Sequence, residues 1–436
     1  MKKGLRYRVQ GFKWSRGRGI VYLFVIFSLF VIFYFHLNVR AERIYLDITS
    51  PTIQKMPIAI QDFVGLKTVS EIIRDDLSFT GLFDCLDESA FIERPDQPFN
   101  QANWRGLGVS IVVKGKVEQT TKGLNVYLSV YDVSENSEIL KKEYSGSNDL
   151  LRPIAHSISN DIYKIVTGQE GIFRSKIAFV GETKDKKKEI YIMDWDGKRL
   201  SPSGVKGDII LTPRWSRDKG KLLFSVQRNR LWSISLIDLN DYKERVLFSS
   251  DGLSLAGNFL PDNRRFVFSS LKDGRSNISI FDTKDEEIER IMSSRWIDVS
   301  PSISPDGRDI LFTSNRSGSP QIYISDIRGS GIKRLTYEGA YNTSAVWSPK
   351  GDRIAFVRMI GGKNQIFIMK PDGSGVIQLT DKGSNEDPSF SPDGRYIAFT
   401  SDRDGSKGIY LMKVNGLDQK RITPKETLSY APNWSP

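Results

Sequence analysis

The chain has 436 residues, too long for one compact domain, and its 39% apolar content with 24 Phe, 16 Tyr and 8 Trp excludes wholesale disorder. A formal charge of +11 would suit a nucleic-acid binder, but eight of the 63 Lys and Arg lie within residues 1–41, which hold no acid. The remaining 55 bases face 52 acids, so the basic balance says little about a partner. Cys85 is the only cysteine, which excludes an intrachain disulfide. His36 lies in the N-terminal stretch and leaves His156 alone in the rest, which excludes zinc clusters of several histidines and Cys/His catalysis built on them.

Residues 1–41 join a basic region to the apolar run IVYLFVIFSLFVIFYF at 20–35 and end on Val39-Arg40-Ala41. That is the layout of a signal peptide cleaved after Ala41. The run nearly spans a bilayer, so a retained anchor is the alternative. Both readings export the rest of the chain.

Residues 42–170 show no repeat. Residues 58–63 read as a strand, and 69–77 as a helix with Val69, Ile72, Ile73 and Leu77 on one face. Residues 109–117 and 124–133 alternate as two strands of a hairpin. Residues 151–166 carry Leu151, Ile154, Ala155, Ile158, Ile162 and Ile165 at helical spacing. This predicts a small α+β domain, joined through residues 168–171 to the C-terminal region. Cys85 reads as a small core residue, and His156 as a structural or capping residue at the edge of its helix.

From 171 to 436 the chain repeats. Trp215, Phe259, Ile303, Trp347, Phe390 and Trp434 recur about every 44 residues, and Ile190, Ile234, Ile278, Ile322, Ile366 and Ile409 give a second register with the same spacing. Each unit reads as four short strands with a tight turn such as Asp306-Gly307 or Asp393-Gly394 after the first. A strand-only period of this length predicts propeller blades, whereas a HEAT-type repeat would need helical spacing. The turn aspartates serve turn geometry, the recurring Trp and Phe serve the core between blades, and the basic run at 184–188 is a solvated loop. Five units are complete. A sixth, starting at 172, lacks its first strand, and YAPNWSP at 430–436 is a first strand without a unit. The predicted fold is therefore an α+β N-terminal domain followed by an all-β six-bladed β-propeller closed by the C-terminal strand.

Several phrases carry a family likeness: VSEIIRDDL at 69–77, SFTGLF at 78–83, WRGLG at 104–108, VKGKV at 113–117, YDV at 131–133, LRPIAH at 151–156, DIY at 161–163, TG at 167–168, GIF at 171–173 and KIAFV at 176–180. In this order, before six blades and a terminal WSP, they resemble the TolB family of the Tol–Pal system in Gram-negative envelopes. The resemblance implies a periplasmic, monomeric adaptor without enzyme activity, cofactor, nucleic-acid partner or small-molecule substrate. It implies two binding surfaces within the envelope system. One is the segment Glu42, Arg43, Ile44, Tyr45, Leu46 and Asp47, toward the inner-membrane protein TolA. The other is a propeller mouth toward the outer-membrane lipoprotein Pal. That mouth is expected from the loops before each first strand: Leu253 and Ser254; Ile297, Asp298 and Val299; Tyr341, Asn342 and Thr343; Asn385, Glu386 and Asp387; Ser429 and Tyr430. The alternatives are an exported propeller enzyme acting on polysaccharide and a membrane-anchored propeller scaffold. A serine peptidase of the hydrolase type would need a G-x-S-x-G elbow, and the sequence contains none.

Overall fold

The computed structural model describes residues 55–183 and 185–436. The expected signal peptide and the segment Glu42–Asp47 lie outside the described residues. Among the described residues no helix is long and apolar enough to cross a membrane.

The first part of the chain is one mixed sheet with helices on it. Strands β1 (Met56–Ile60), β2 (Phe83–Cys85), β3 (Ile111–Thr120), β4 (Gly123–Asp132) and β5 (Ser137–Gly146) lie in the order β2-β1-β3-β4-β5. Strand β1 pairs parallel with both β2 and β3, and the rest is antiparallel. Helices α1 (Thr68–Phe79) and α3 (Leu151–Thr167) pack against each other over one face, burying Val69, Ile72, Ile73 and Leu77 against Ile158 and Ile162. Gly168, with φ of 72°, ends α3 in the left-handed conformation that glycine adopts without steric cost. The short helix α2 (Gln101–Arg105) seats Trp104 on the other face with Ala59, Val112 and Val133. Cys85 is half-buried on edge strand β2, where its Sγ lies 4.0 Å from the Arg74 carbonyl, so it is not the core residue expected.

The rest is a ring of six four-stranded antiparallel blades. Five are contiguous in sequence, with innermost strands Ile209–Trp215, Ser254–Phe259, Asp298–Ile303, Asn342–Trp347 and Asn385–Phe390. The blade beginning at Lys176–Glu182 takes Ser429–Trp434 as its innermost strand, in register Trp434 opposite Ile177 and Ser429 opposite Gly181. The ring therefore closes by pairing the two ends of the repeat region, as the orphan phrase predicts, and this removes a sheet edge.

The blades bury both faces. In the third strand of the fourth blade, Tyr323 packs toward Leu260 and Ile303 on one side while Ile322 packs toward Ile354 and Phe356 on the other. The turn aspartates act as expected. Ser304 donates to Asp306 at 2.6 Å, and the Asp306 carboxylate accepts the amide of Arg308 at 3.2 Å.

A further recurrence lies on the innermost strands. Each innermost strand carries a β-bulge, and its leading residue has positive φ in five of six blades: Thr212, Ser300, Ser344, Asp387 and Ala431. In the remaining blade Gly257 occupies the bulge, where a Cβ would come within 2.5 Å of the Pro301 carbonyl oxygen. Thr212, Ser300, Ser344, Asp387 and Ala431 all line the central channel.

Candidate functional site

Each innermost strand starts at one mouth of the ring, and the second strand returns to the same mouth before the third begins. The mouth is therefore built from the loops before first strands and the hairpins between second and third strands. Met359, in such a hairpin, donates its amide to the Tyr341 carbonyl at 3.0 Å.

The expected mouth residues separate into two groups. Ser254, Asp298, Asn342, Asn385 and Ser429 are buried framework. Asn342 shows the pattern: its amide donates to Gln321 and to the Glu338 carbonyl, each at 2.9 Å, and its carbonyl oxygen accepts from Arg358 Nε at 2.9 Å. Asn385 repeats this with Gln365, the Lys382 carbonyl and Arg403. Asp298 accepts from Arg316 at 2.9 Å instead. Each of these arginines lies over the paired aromatics of its own blade, Arg316 about 5 Å from Phe312 and Tyr323 and Arg403 from Phe399 and Tyr410. The asparagine and arginine side chains fix the loops in place by bonding to each other and to the backbone.

Ile297 and Tyr341 are exposed, at 44% and 37%. Beside them the structure adds residues that no sequence pattern marks: Trp296 at 37%, Tyr337 at 71%, and Met359 and Ile360 in the adjoining hairpin. Arg295 lies 4.7 Å over the Trp296 ring and Arg334 5.0 Å over Tyr337. These cations hold large apolar side chains upright at the rim without burying them. Leu253, in its loop, and Val299 and Thr343, already in their innermost strands, are half-buried.

Glu386, Asp387 and Tyr430 turn inward. They line the channel, a cavity of about 610 Å³, with Arg214, Lys407 and the recurring Trp215, Trp347 and Trp434. Those indoles thus face the channel as well as the core between blades. Lys407 pairs with Glu386 at 2.7 Å. Burial pushes the Asp387 carboxyl above its ordinary range, with Glu386 adding to the rise and Arg214 opposing it. Arg214 is lowered by the same burial.

At the opposite end of the ring the α+β part packs on the first and last blades. Phe79 lies 4.6 Å from Trp195 and 4.9 Å from Tyr396, and Arg395 donates to the Tyr163 hydroxyl at 2.5 Å. His156 belongs to this seam. It is 2% exposed, so it is not at a helix edge as expected, and its Nδ1 lies 2.8 Å from Asp76 Oδ2. Among the described residues one group of three side chains has metal-ligating geometry: His156, Asp194 and Asp196.

These features define a class: a two-domain propeller protein in which a repeated rigid framework presents variable loops at one mouth and a second domain closes on the other end. Comparison with known proteins gives the family. A profile described as the TolB beta propeller domain matches residues 163–436, and one described as the TolB amino-terminal domain matches 44–139. The chain belongs to the TolB family. It is 33% identical over 237 residues to the Tol-Pal system protein TolB of Desulfosudis oleivorans, covering 51% of this chain and 54% of that one. It is 33% identical over 223 residues to the same-named protein of Dinoroseobacter shibae, covering 48% and 50%. The chain spans about half the length of the curated relatives it matches. The crystal structure of TolB from Acinetobacter baumannii superposes with a TM-score of 0.77 at 27% identity, over 90% of this chain and 99% of that one.

Proposed function

We propose that this chain is a periplasmic adaptor of the Tol–Pal system, without catalytic activity, that docks the lipoprotein Pal on the open propeller mouth. The observation that carries this reading is the rim of Trp296, Ile297, Tyr337 and Tyr341, exposed large side chains on a loop framework held by the side-chain bonds of Asn342 and Asn385. Aromatic side chains on a rigid scaffold bind a partner with little loss of conformational entropy.

The segment Glu42–Asp47, freed by removal of residues 1–41, serves TolA by adding a strand to a sheet edge of that partner. Residues 42–170 then form the α+β domain and 171–436 the propeller. Linking the two membranes in this way supports outer-membrane integrity and its invagination at division. Immobilised protein incubated with envelope extract in gentle detergent tests the proposal. Retention of a Pal-type lipoprotein is the expected result, and recovery of none would overturn it.

A further inference from the structure

The seam between α3 and the first blade holds an arrangement that the adaptor reading does not use. His156 Nε2 and carboxylate oxygens of Asp194 and Asp196 all lie within 4.8 Å of one another. His156 Nε2 is 3.9 Å from Asp196 Oδ2 and has no hydrogen-bond partner, although the residue is 2% exposed. Asp194 Oδ2 is likewise buried and without a partner. Buried polar atoms in native proteins are nearly always satisfied, and a shared partner within this three-residue group would satisfy both.

The geometry points to a divalent transition-metal site of the zinc class. Asp76 Oδ2 sits 2.8 Å from His156 Nδ1. That contact holds Nδ1 on the Asp76 side and leaves Nε2 on the side of Asp194 and Asp196. A carboxylate behind a histidine in this way orients the ring of a metal ligand. The donors of a tetrahedral Zn²⁺ with bonds of about 2.0–2.2 Å stand roughly 3.4 Å apart, so the site closes by small rotations of the two aspartate side chains. One imidazole with two carboxylates favours Zn²⁺ over Mg²⁺ or Ca²⁺, which take oxygen ligands.

The other blades lack this arrangement at the same turn. Asp238 and Asp326 spend a side-chain oxygen capping the turn amides of Asn240 and Arg328, while Lys370 and Lys413 replace the acid in the last two blades. In the first blade the capping falls to Asp196 Oδ1, which accepts from the Lys198 amide at 3.0 Å, and Asp194 Oδ2 stays free. Arg152 bonds Asp196 Oδ2 from the rim, and Arg199 lies 3.7 Å from Asp194 Oδ1. Each carboxylate oxygen has two lone pairs, so neither arginine blocks the site. Trp195, between the two aspartates in sequence, packs on Phe79 and Phe173. A bound ion would join α3 to the blade that the C-terminal strand completes.

The test uses purified protein stripped with chelator and titrated with ZnCl₂, with melting curves recorded alongside. One equivalent of zinc should bind, the melting temperature should rise with zinc concentration, and Co²⁺ should give the intense visible absorption of a four-coordinate site. MgCl₂ and CaCl₂ should leave the curve where it was. Asp194→Asn, which keeps the side-chain shape, should remain folded and weaken zinc binding at least tenfold; His156→Gln provides a second variant. Zinc bound equally by wild type and Asp194→Asn, or no zinc-dependent shift in melting, would overturn the inference.

Discussion

Trp434 donates its indole N–H to Ser175 Oγ at 2.7 Å, joining residues 259 apart in sequence. Around this bond the C-terminal strand is held on both sides. The Trp434 amide donates to Ser389 Oγ in the last blade at 2.9 Å, while Lys176 and Ser435 exchange bonds in the first. Trp434→Ala removes a buried indole and leaves Ser175 Oγ without its donor. The expected loss is about 3–5 kcal/mol in urea denaturation. Deleting 429–436 exposes the edge of Lys176–Glu182 and should lower the melting temperature further. Unchanged melting in both would contradict closure by this strand.

The seam should respond to alkaline pH. Burial raises the Tyr163 hydroxyl from its ordinary 10.0 to about 12, against the opposing charge of Arg395. The folded value lies above the unfolded one. Its contribution to stability is therefore complete below pH 10 and disappears as the pH climbs toward 12. Denaturation midpoints measured across that window should fall, and more gently in Tyr163→Phe than in wild type. Identical slopes would show that Tyr163 does not report on the seam.

The channel bulges are set by backbone conformation. Asp387 has φ of 54°. Asp387→Gly should leave stability within about 1 kcal/mol, because glycine occupies that region freely. Asp387→Val places a β-branched side chain there and should cost about 1–3 kcal/mol. Thermal denaturation of the two variants side by side checks the ordering, and a Val variant as stable as the Gly variant would contradict it.

The blades were legible because their framework repeats: the same apolar residue recurs at the same place in each unit, and the orphan YAPNWSP could be matched to the unit lacking a first strand. Strand β5 has no such pattern. Its sequence SEILKKEYSG is mostly charged and polar because an edge strand has water beside it, and none of its residues is fully buried. The place of His156 was not legible either, since its partner Asp76 is 80 residues away in sequence. At the mouth, strand pairing begins at the residue expected to lie in the loop, which turns Asp298, Asn342 and Asn385 inward as framework. Trp296 and Tyr337 precede those strands in segments without periodicity, so no pattern marked them as a surface.

The adaptor reading is tested most directly by calorimetric titration of the purified protein with the soluble domain of the Pal lipoprotein from the same organism. Wild type should bind at one to one. Trp296→Ala and Tyr341→Ala should each weaken binding at least tenfold while shifting stability by no more than about 0.5 kcal/mol, as exposed positions do. Tyr163→Phe, at the far end of the ring, should bind as wild type does. Equal affinity for wild type and both mouth variants, or no binding by wild type, would contradict the assignment of this mouth as the docking surface.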